Sequence, residues 1–211
     1  MDDFPELPAQ AFAKRDPTPD PMFYARPRFV THIDDRAIAA VTALYRATFR
    51  PGDRLLDLMS SWVSHLPEEI RYGEVVGHGL NREELDANPR LDRRIVQDLN
   101  RDAALPLKPD SFDGACVCAS IQYLQRPVTV ARDVLRVLKP GAPFAVTFSD
   151  RCFPTKAVAI WQADGVDNAD LVTLYLQRAG FADVVARQVH ARDRSGDPLW
   201  AVVGRKPSRD A

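Results

Sequence analysis

Arg54-Leu-Leu-Asp-Leu-Met-Ser-Ser-Trp-Val-Ser-His-Leu66 is the stretch whose reading decides how this chain folds. Its apolar opening, Leu55 to Leu58, reads as a buried strand that carries Asp57 near its end and runs into a tight turn. In an open α/β sheet the turn after a first strand lies where ligands bind, outside the carboxyl ends of the strands. Glycine is expected there, because the backbone takes positive φ or approaches a ligand closely. Met59, Ser61 and Val63 occupy those places instead. A short helix is expected over Ser61 to Leu66, stopped near Pro67.

Outward from this stretch, strand and helix signals alternate. Before it, Ile38, Val41, Leu44, Tyr45 and Phe49 recur at helical steps, with Asp34 or Asp35 as a cap and Pro51-Gly52 as a stop. After it come a strand at Glu74 to Gly77 and a helix start at Asn81-Arg-Glu-Glu84. There Asn81 caps and Glu84 stands three residues on, a capping-box pattern. A third strand covers Arg94 to Gln97 and ends at Asp98. A fourth, Asp113 to Cys118, is small and apolar throughout, as a strand buried on both faces should be. An amphipathic helix spans Pro127 to Leu138 and a strand spans Pro143 to Phe148. A helix follows from Asn168 to Ala179, with Asn168 as its cap. Asp183 to His190 and Leu199 to Arg205 make a final hairpin through a turn at Arg194 to Pro198. The expected fold is α/β: a doubly wound, mostly parallel seven-stranded sheet with helices on both faces and a C-terminal antiparallel hairpin.

Composition narrows the function. The 211 residues are 45% hydrophobic and 27% charged, enough for one sizeable core, and the net charge of -1 gives no overall field toward nucleic acid or an anionic membrane. No run is long enough to cross a bilayer. Three cysteines without zinc-type clustering point to free thiols, a cytoplasmic setting and no metal site. Residues 1–33 form a proline-rich segment, with six prolines in the first 27 residues, expected to be partly disordered or draped over a pocket. The main domain then runs over 34–206, and 207–211 are a tail.

Three segments give the chain a family resemblance. Ala104-Leu-Pro-Leu-Lys-Pro-Asp-Ser-Phe-Asp113, Gln122-Tyr-Leu124 and Val134-Leu-Arg-Val-Leu-Lys-Pro-Gly141 resemble the sequence around the fourth strand and the following helix in class I S-adenosylmethionine-dependent methyltransferases. The match is nearest to their type 11 small-molecule branch. The fold of that family is Rossmann-related, and the resemblance implies S-adenosyl-L-methionine as cofactor. It places Asp57, Met59, Ser60 and Ser61 at the methionine end and Gly79 where the family has a ribose-binding acid. Gly79 lies 22 residues after Asp57, against a usual spacing of about 20. Loss of that carboxylate costs about 1.5 to 3 kcal/mol of affinity unless Asn81 or Glu83 replaces it. Asp98 and the Leu99 N–H match the adenine clamp, and Ser120 follows the fourth strand at the same edge.

Tyr24, His32, Tyr123, Arg151 and Lys156 are the candidates to face the methyl acceptor, a small molecule for which the two cations imply an anionic group. His65 reads as a packing residue, and Cys116 and Cys118 as core thiols on one face of their strand. The glycine-free turn leaves two readings open. Its residues still line a cofactor site, or Met59 and Trp62 fill the pocket and the fold serves as a non-catalytic binding module or takes another nucleoside-like cofactor.

Overall fold

The computed structural model describes residues 3–191 and 196–208. Seven strands form one sheet: β1 (Arg54–Leu58), β2 (Glu74–Gly79), β3 (Arg93–Val96), β4 (Gly114–Cys118), β5 (Pro143–Phe148), β6 (Ala182–His190) and β7 (Leu199–Arg205). Their order is β3-β2-β1-β4-β5-β7-β6. The first five are parallel, and β7 pairs antiparallel with both β5 and β6. This is the expected doubly wound sheet. The strand order reverses between β1 and β4, so the crevice at their carboxyl ends is the place for a ligand. Arg194 and Ser195 of the turn expected at Arg194 to Pro198 lie outside the described residues.

The helices are α1 (Asp20–Phe23), α2 (Asp35–Thr48), α3 (Arg82–Ala87), α4 (Pro127–Val137) and α5 (Asn168–Ala179). Strand alternation divides the core between two faces. Leu56 and Leu58 join α4 and α5 through Val134, Val172 and Tyr175, while Leu55 joins α2 and α3 through Val41, Leu44 and Leu85. Asp34 caps α2 by accepting from the N–H groups of Arg36 and Ala37. Asp167, not Asn168, caps α5, because its carboxylate reaches the N–H groups of Ala169 and Asp170.

One expected element is missing. No helix forms over Ser61 to Leu66, and the crossover from β1 to β2 is irregular. Its polar side chains bond elsewhere: Ser61 Oγ to Glu84, and Ser64 Oγ and the Ser61 carbonyl to the Asn88 amide. Such bonds compete with helix formation, and His65 takes a left-handed φ of 54°, which interrupts it outright.

The N-terminal segment packs along the domain. Asp3 accepts from the N–H groups of Val128 and Thr129, so it caps α4 from outside that helix. Phe4 is buried against Phe12 and Tyr175. Lys14 pairs with Val158 in an isolated bridge. Farther on, Asn81 donates to the carbonyls of Tyr24 and Ala25, and Glu84 accepts from the Arg28 N–H, which ties the segment to the start of α3. No helix among the described residues is long and apolar enough to cross a membrane.

Candidate cofactor and acceptor site

A cavity of about 300 Å³ opens at the carboxyl ends of β1, β2 and β4. Its floor includes Met59, Ser60 and Ser61 from the turn after β1. Gly79 to Asn81, Asp98 to Asn100, and Ala119 with Ser120 complete that side. The N-terminal segment supplies Tyr24, Arg28 and His32, and the segment after β5 supplies Arg151 to Phe153.

The turn after β1 answers the question raised by its missing glycines. Met59 adopts a φ of 53°, the left-handed conformation that glycine usually serves. A non-glycine residue held there costs about 1 to 3 kcal/mol. Ser60 then donates its N–H to the His78 carbonyl at 2.6 Å, which pins the turn to the end of β2. Trp62 turns away from the large cavity: its Nε1 donates to the Val30 carbonyl and its ring packs on Phe29. The turn therefore borders open space. Trp62 lines only a smaller adjoining cavity of about 60 Å³, together with Asp57 and His65.

Asp57 is 4% exposed. Its carboxylate accepts from Ser60 Oγ at 2.6 Å and lies 3.7 Å from the Cys116 sulfur. Burial pushes its pKa up to about 6, and bonds from Ser60, Ser64 and Cys116 oppose the shift. A carboxylate held near its titration point would gain from a cation placed beside it. Cys116 is buried, and burial pushes the Cys118 thiol up to about 12, so neither is a nucleophile.

Asp98 and Leu99, the residues that the resemblance assigns to adenine, both line the cavity. One carboxylate oxygen of Asp98 accepts from the Asn100 N–H at 2.9 Å, so it also closes the local turn. Asn100 donates to Asp20 and to the Tyr123 carbonyl, which links this loop to the N-terminal segment. Ser120 reaches the cavity edge with its hydroxyl donated to the Cys118 carbonyl at 2.9 Å.

Gly79 stands where the resemblance expects a ribose-binding acid. Gly79 packs on the turn after β1, so no side chain fits at the acidic position. Asn81 lines the cavity, but its amide is engaged by the Tyr24 and Ala25 carbonyls and its Oδ1 accepts from the Glu84 N–H. Glu84 does not return to Asn81 as a capping box would. It accepts from the Arg28 N–H and from Ser61 Oγ.

Four of the five acceptor candidates meet in the cavity: Tyr24, His32, Tyr123 and Arg151. Tyr24 Oη is buried without a partner, and burial raises its pKa. Tyr123 Oη accepts from the Phe153 N–H at 2.9 Å, and burial pushes its pKa up to about 12. Both phenols stay protonated. Burial lowers the His32 pKa, so its imidazole is neutral near pH 7. Lys156 is the exception. It is fully buried outside the lining, bonded to the carbonyls of Asp16 and Thr18 and paired with Asp16 at 3.4 Å and Asp20 at 3.5 Å. Its charge anchors the N-terminal segment rather than meeting an acceptor.

Sequence reasoning missed Arg28, His78 and Phe153, all of which line the cavity. Arg28 and Phe153 lie in irregular segments with no periodicity to place them. His78 sits on β2, buried, with Nδ1 accepting from the Met59 N–H at 3.4 Å and Nε2 without a partner; burial takes its pKa down to about 4.

Comparison with known proteins agrees with this geometry. Residues 61–146 match the family model described as a methyltransferase domain. That match spans less than half of the chain, and over those residues the chain is similar to a methyltransferase domain. No curated protein matches it by sequence. Among solved structures, the [4+2]-cyclase SpnF superposes with a TM-score of 0.64 at 17% identity, covering 89% of this chain and 91% of that one. A methyltransferase from Aquifex aeolicus described as SAM dependent gives 0.59 at 18%, covering 90% and 98%. The Haemonchus contortus phosphoethanolamine N-methyltransferase 2, solved with S-adenosyl-L-methionine, gives 0.60 at 16%, covering 81% of this chain and 52% of that one. At these identities the structural likeness carries the fold. The domain match makes S-adenosylmethionine the cofactor to fit against the cavity.

The cavity fits that cofactor. Asp98 and Leu99, which the resemblance assigns to adenine, line it, Asp57 lies in the smaller adjoining cavity, and buried polar atoms of Tyr24, Arg28 and His78 in the lining lack partners among the described residues. Gly79 brings no carboxylate to the place where the resemblance expects a ribose-binding acid.

Proposed function

We propose that this chain transfers a methyl group from S-adenosylmethionine to a small molecule bearing an anionic group, in a cytoplasmic setting. The observation that supports it most is the open cavity beside Met59 to Ser61, where a filled pocket would have argued for a module without chemistry. Asp98 and Leu99 would hold the adenine, Asp57 the methionine ammonium, and Ser60, Ser61 and Ser120 the groups between.

When bound, the cofactor supplies a methyl group already activated on its sulfonium. The protein then contributes proximity and orientation. Tyr24 and Tyr123 orient the acceptor through phenolic O–H groups that remain protonated. His32 stays neutral, so it can take a proton from an acceptor that must lose one. The N-terminal segment, anchored by Lys156 and Asn81, keeps water from the cavity.

The fold alone does not fix the reaction. A non-catalytic module remains the alternative, motivated by the closed ribose position, and the unpartnered donors in the lining weigh against it. Thermal-shift titration decides between them. Stabilisation by both S-adenosylmethionine and S-adenosylhomocysteine supports the enzyme, and no shift with either at millimolar concentration supports the module.

A further inference from the structure

The positive charges around the cavity are unequally partnered. Arg151 pairs with Asp197 at 2.9 Å, and its side chain is 64% exposed. Arg28 makes no ion pair among the described residues. Its Nη2 donates to the Phe23 carbonyl at 3.0 Å, and its Nη1 is buried with no partner among the described residues. Its guanidinium lies 4.7 Å from the Phe23 ring, 5.4 Å from Phe153 and 5.6 Å from Tyr24, so aromatic rings crowd around it and none of them supplies an acceptor for Nη1.

No carboxylate of the lining serves as its counter-ion. Asp20 is engaged by Lys14, Lys156 and Asn100. Glu84 meets Arg28 only at the backbone, through the N–H at 2.7 Å, and uses its other oxygen on Ser61. Asp98 is turned to the Asn100 N–H. A guanidinium edge taken from water without an acceptor is costly, and the group that best satisfies it is a planar anion.

We propose that Arg28 receives the carboxylate or phosphate of the methyl acceptor, with the body of that molecule against Tyr24, Tyr123 and Phe153. The inference rests on the methyltransferase reading and names its substrate class. The acceptor is favoured over the cofactor as the source of the anion by position. Arg28 packs on the segment after β5, whereas Asp98 marks the adenine and Asp57 the methionine ammonium. Tyr24 and Tyr123 stand edge to face at 6.4 Å, and Tyr123 stacks on Phe153 at 6.0 Å. These rings form an apolar wall suited to a flat molecule.

The test uses wild type, Arg28→Gln and Arg28→Lys, each first checked by its melting curve. S-adenosylhomocysteine and 5′-methylthioadenosine, which lacks the amino-acid carboxylate, are titrated calorimetrically. Benzoate and phenyl phosphate are then titrated into the proteins saturated with S-adenosylhomocysteine. S-adenosylhomocysteine affinity should stay within about twofold in both variants, while the anionic probes should bind about tenfold more weakly to Arg28→Gln and recover in part in Arg28→Lys. Equal probe binding in all three proteins would overturn the proposal. So would a loss confined to S-adenosylhomocysteine with 5′-methylthioadenosine unaffected, since that places the anion seat on the cofactor. Failure of wild type to bind either nucleoside would instead sink the methyltransferase reading beneath it.

Discussion

A Cβ added to Gly79 would stand 2.5 Å from the carbonyl oxygen of Ser60. No side chain fits at that separation without a backbone shift. The contact exists because the Ser60 N–H bonds to the His78 carbonyl, which draws the turn after β1 onto the end of β2. The glycine at position 79 and the glycine-free turn packed on it are thus one structural feature. The turn closes over the position from which a carboxylate would act.

An acid placed at position 79 should therefore not be accommodated. Gly79→Asp is expected to destabilise the fold by about 1 to 3 kcal/mol, the cost of overpacking a tight site. It should leave S-adenosylhomocysteine binding no tighter than in wild type. Denaturant unfolding and a calorimetric titration of the variant check both parts. A stable variant with tighter binding would show that the position is open.

Asp57 gives a pH dependence whose sign can be worked out. Its folded pKa of about 6 lies above the unfolded value of about 3.9. The folded state holds the proton more tightly, so Asp57 favours folding below the unfolded value, and this contribution is lost as pH rises through about 6. Asp57→Asn keeps an acceptor for Ser60 and removes the titration. The stability of Asp57→Asn relative to wild type should increase between pH 4 and 7, measured by urea unfolding. A difference that stays flat over that range would contradict the assignment.

Lys156 should act at a distance from the chemistry. Its ammonium sits among Asp16, Asp20 and two carbonyls with no exposure. Breaking a buried ion pair by removing one partner costs about 3 to 5 kcal/mol. Lys156→Met is expected to loosen residues 14–30, seen as faster amide exchange and new protease cleavage there, while α4 and α5 keep their protection. Unchanged exchange in the N-terminal segment would remove its anchoring role.

The strands and the longer helices were legible because their burial follows periods of 2 and 3.6, as Leu55 and Leu56 on opposite faces or Val41 and Leu44 on α2 illustrate. The helix expected at Ser61 to Leu66 was not there. Hydrogen bonds from distant residues, Glu84 and Asn88, settle that segment, and no local pattern announces them. Asp98, Tyr123 and Ser120 could be placed at the crevice because each follows a strand. Arg28 could not, since its position depends on Asn81 and Glu84 holding an irregular segment across the sheet. Lys156 was misplaced for the same reason. Its sequence neighbourhood resembles a solvated loop, and only the fold brings Asp16 and Asp20 to it.

The central claim is that the cavity beside the glycine-free turn binds the nucleoside cofactor through Asp98. Calorimetric titration of S-adenosylhomocysteine into wild type and Asp98→Ala tests it most directly. Wild type should bind with a micromolar Kd and the variant about 10- to 150-fold more weakly, the worth of a hydrogen bond to a charged group. No binding to wild type at millimolar concentration, or the same Kd in both proteins, would contradict it.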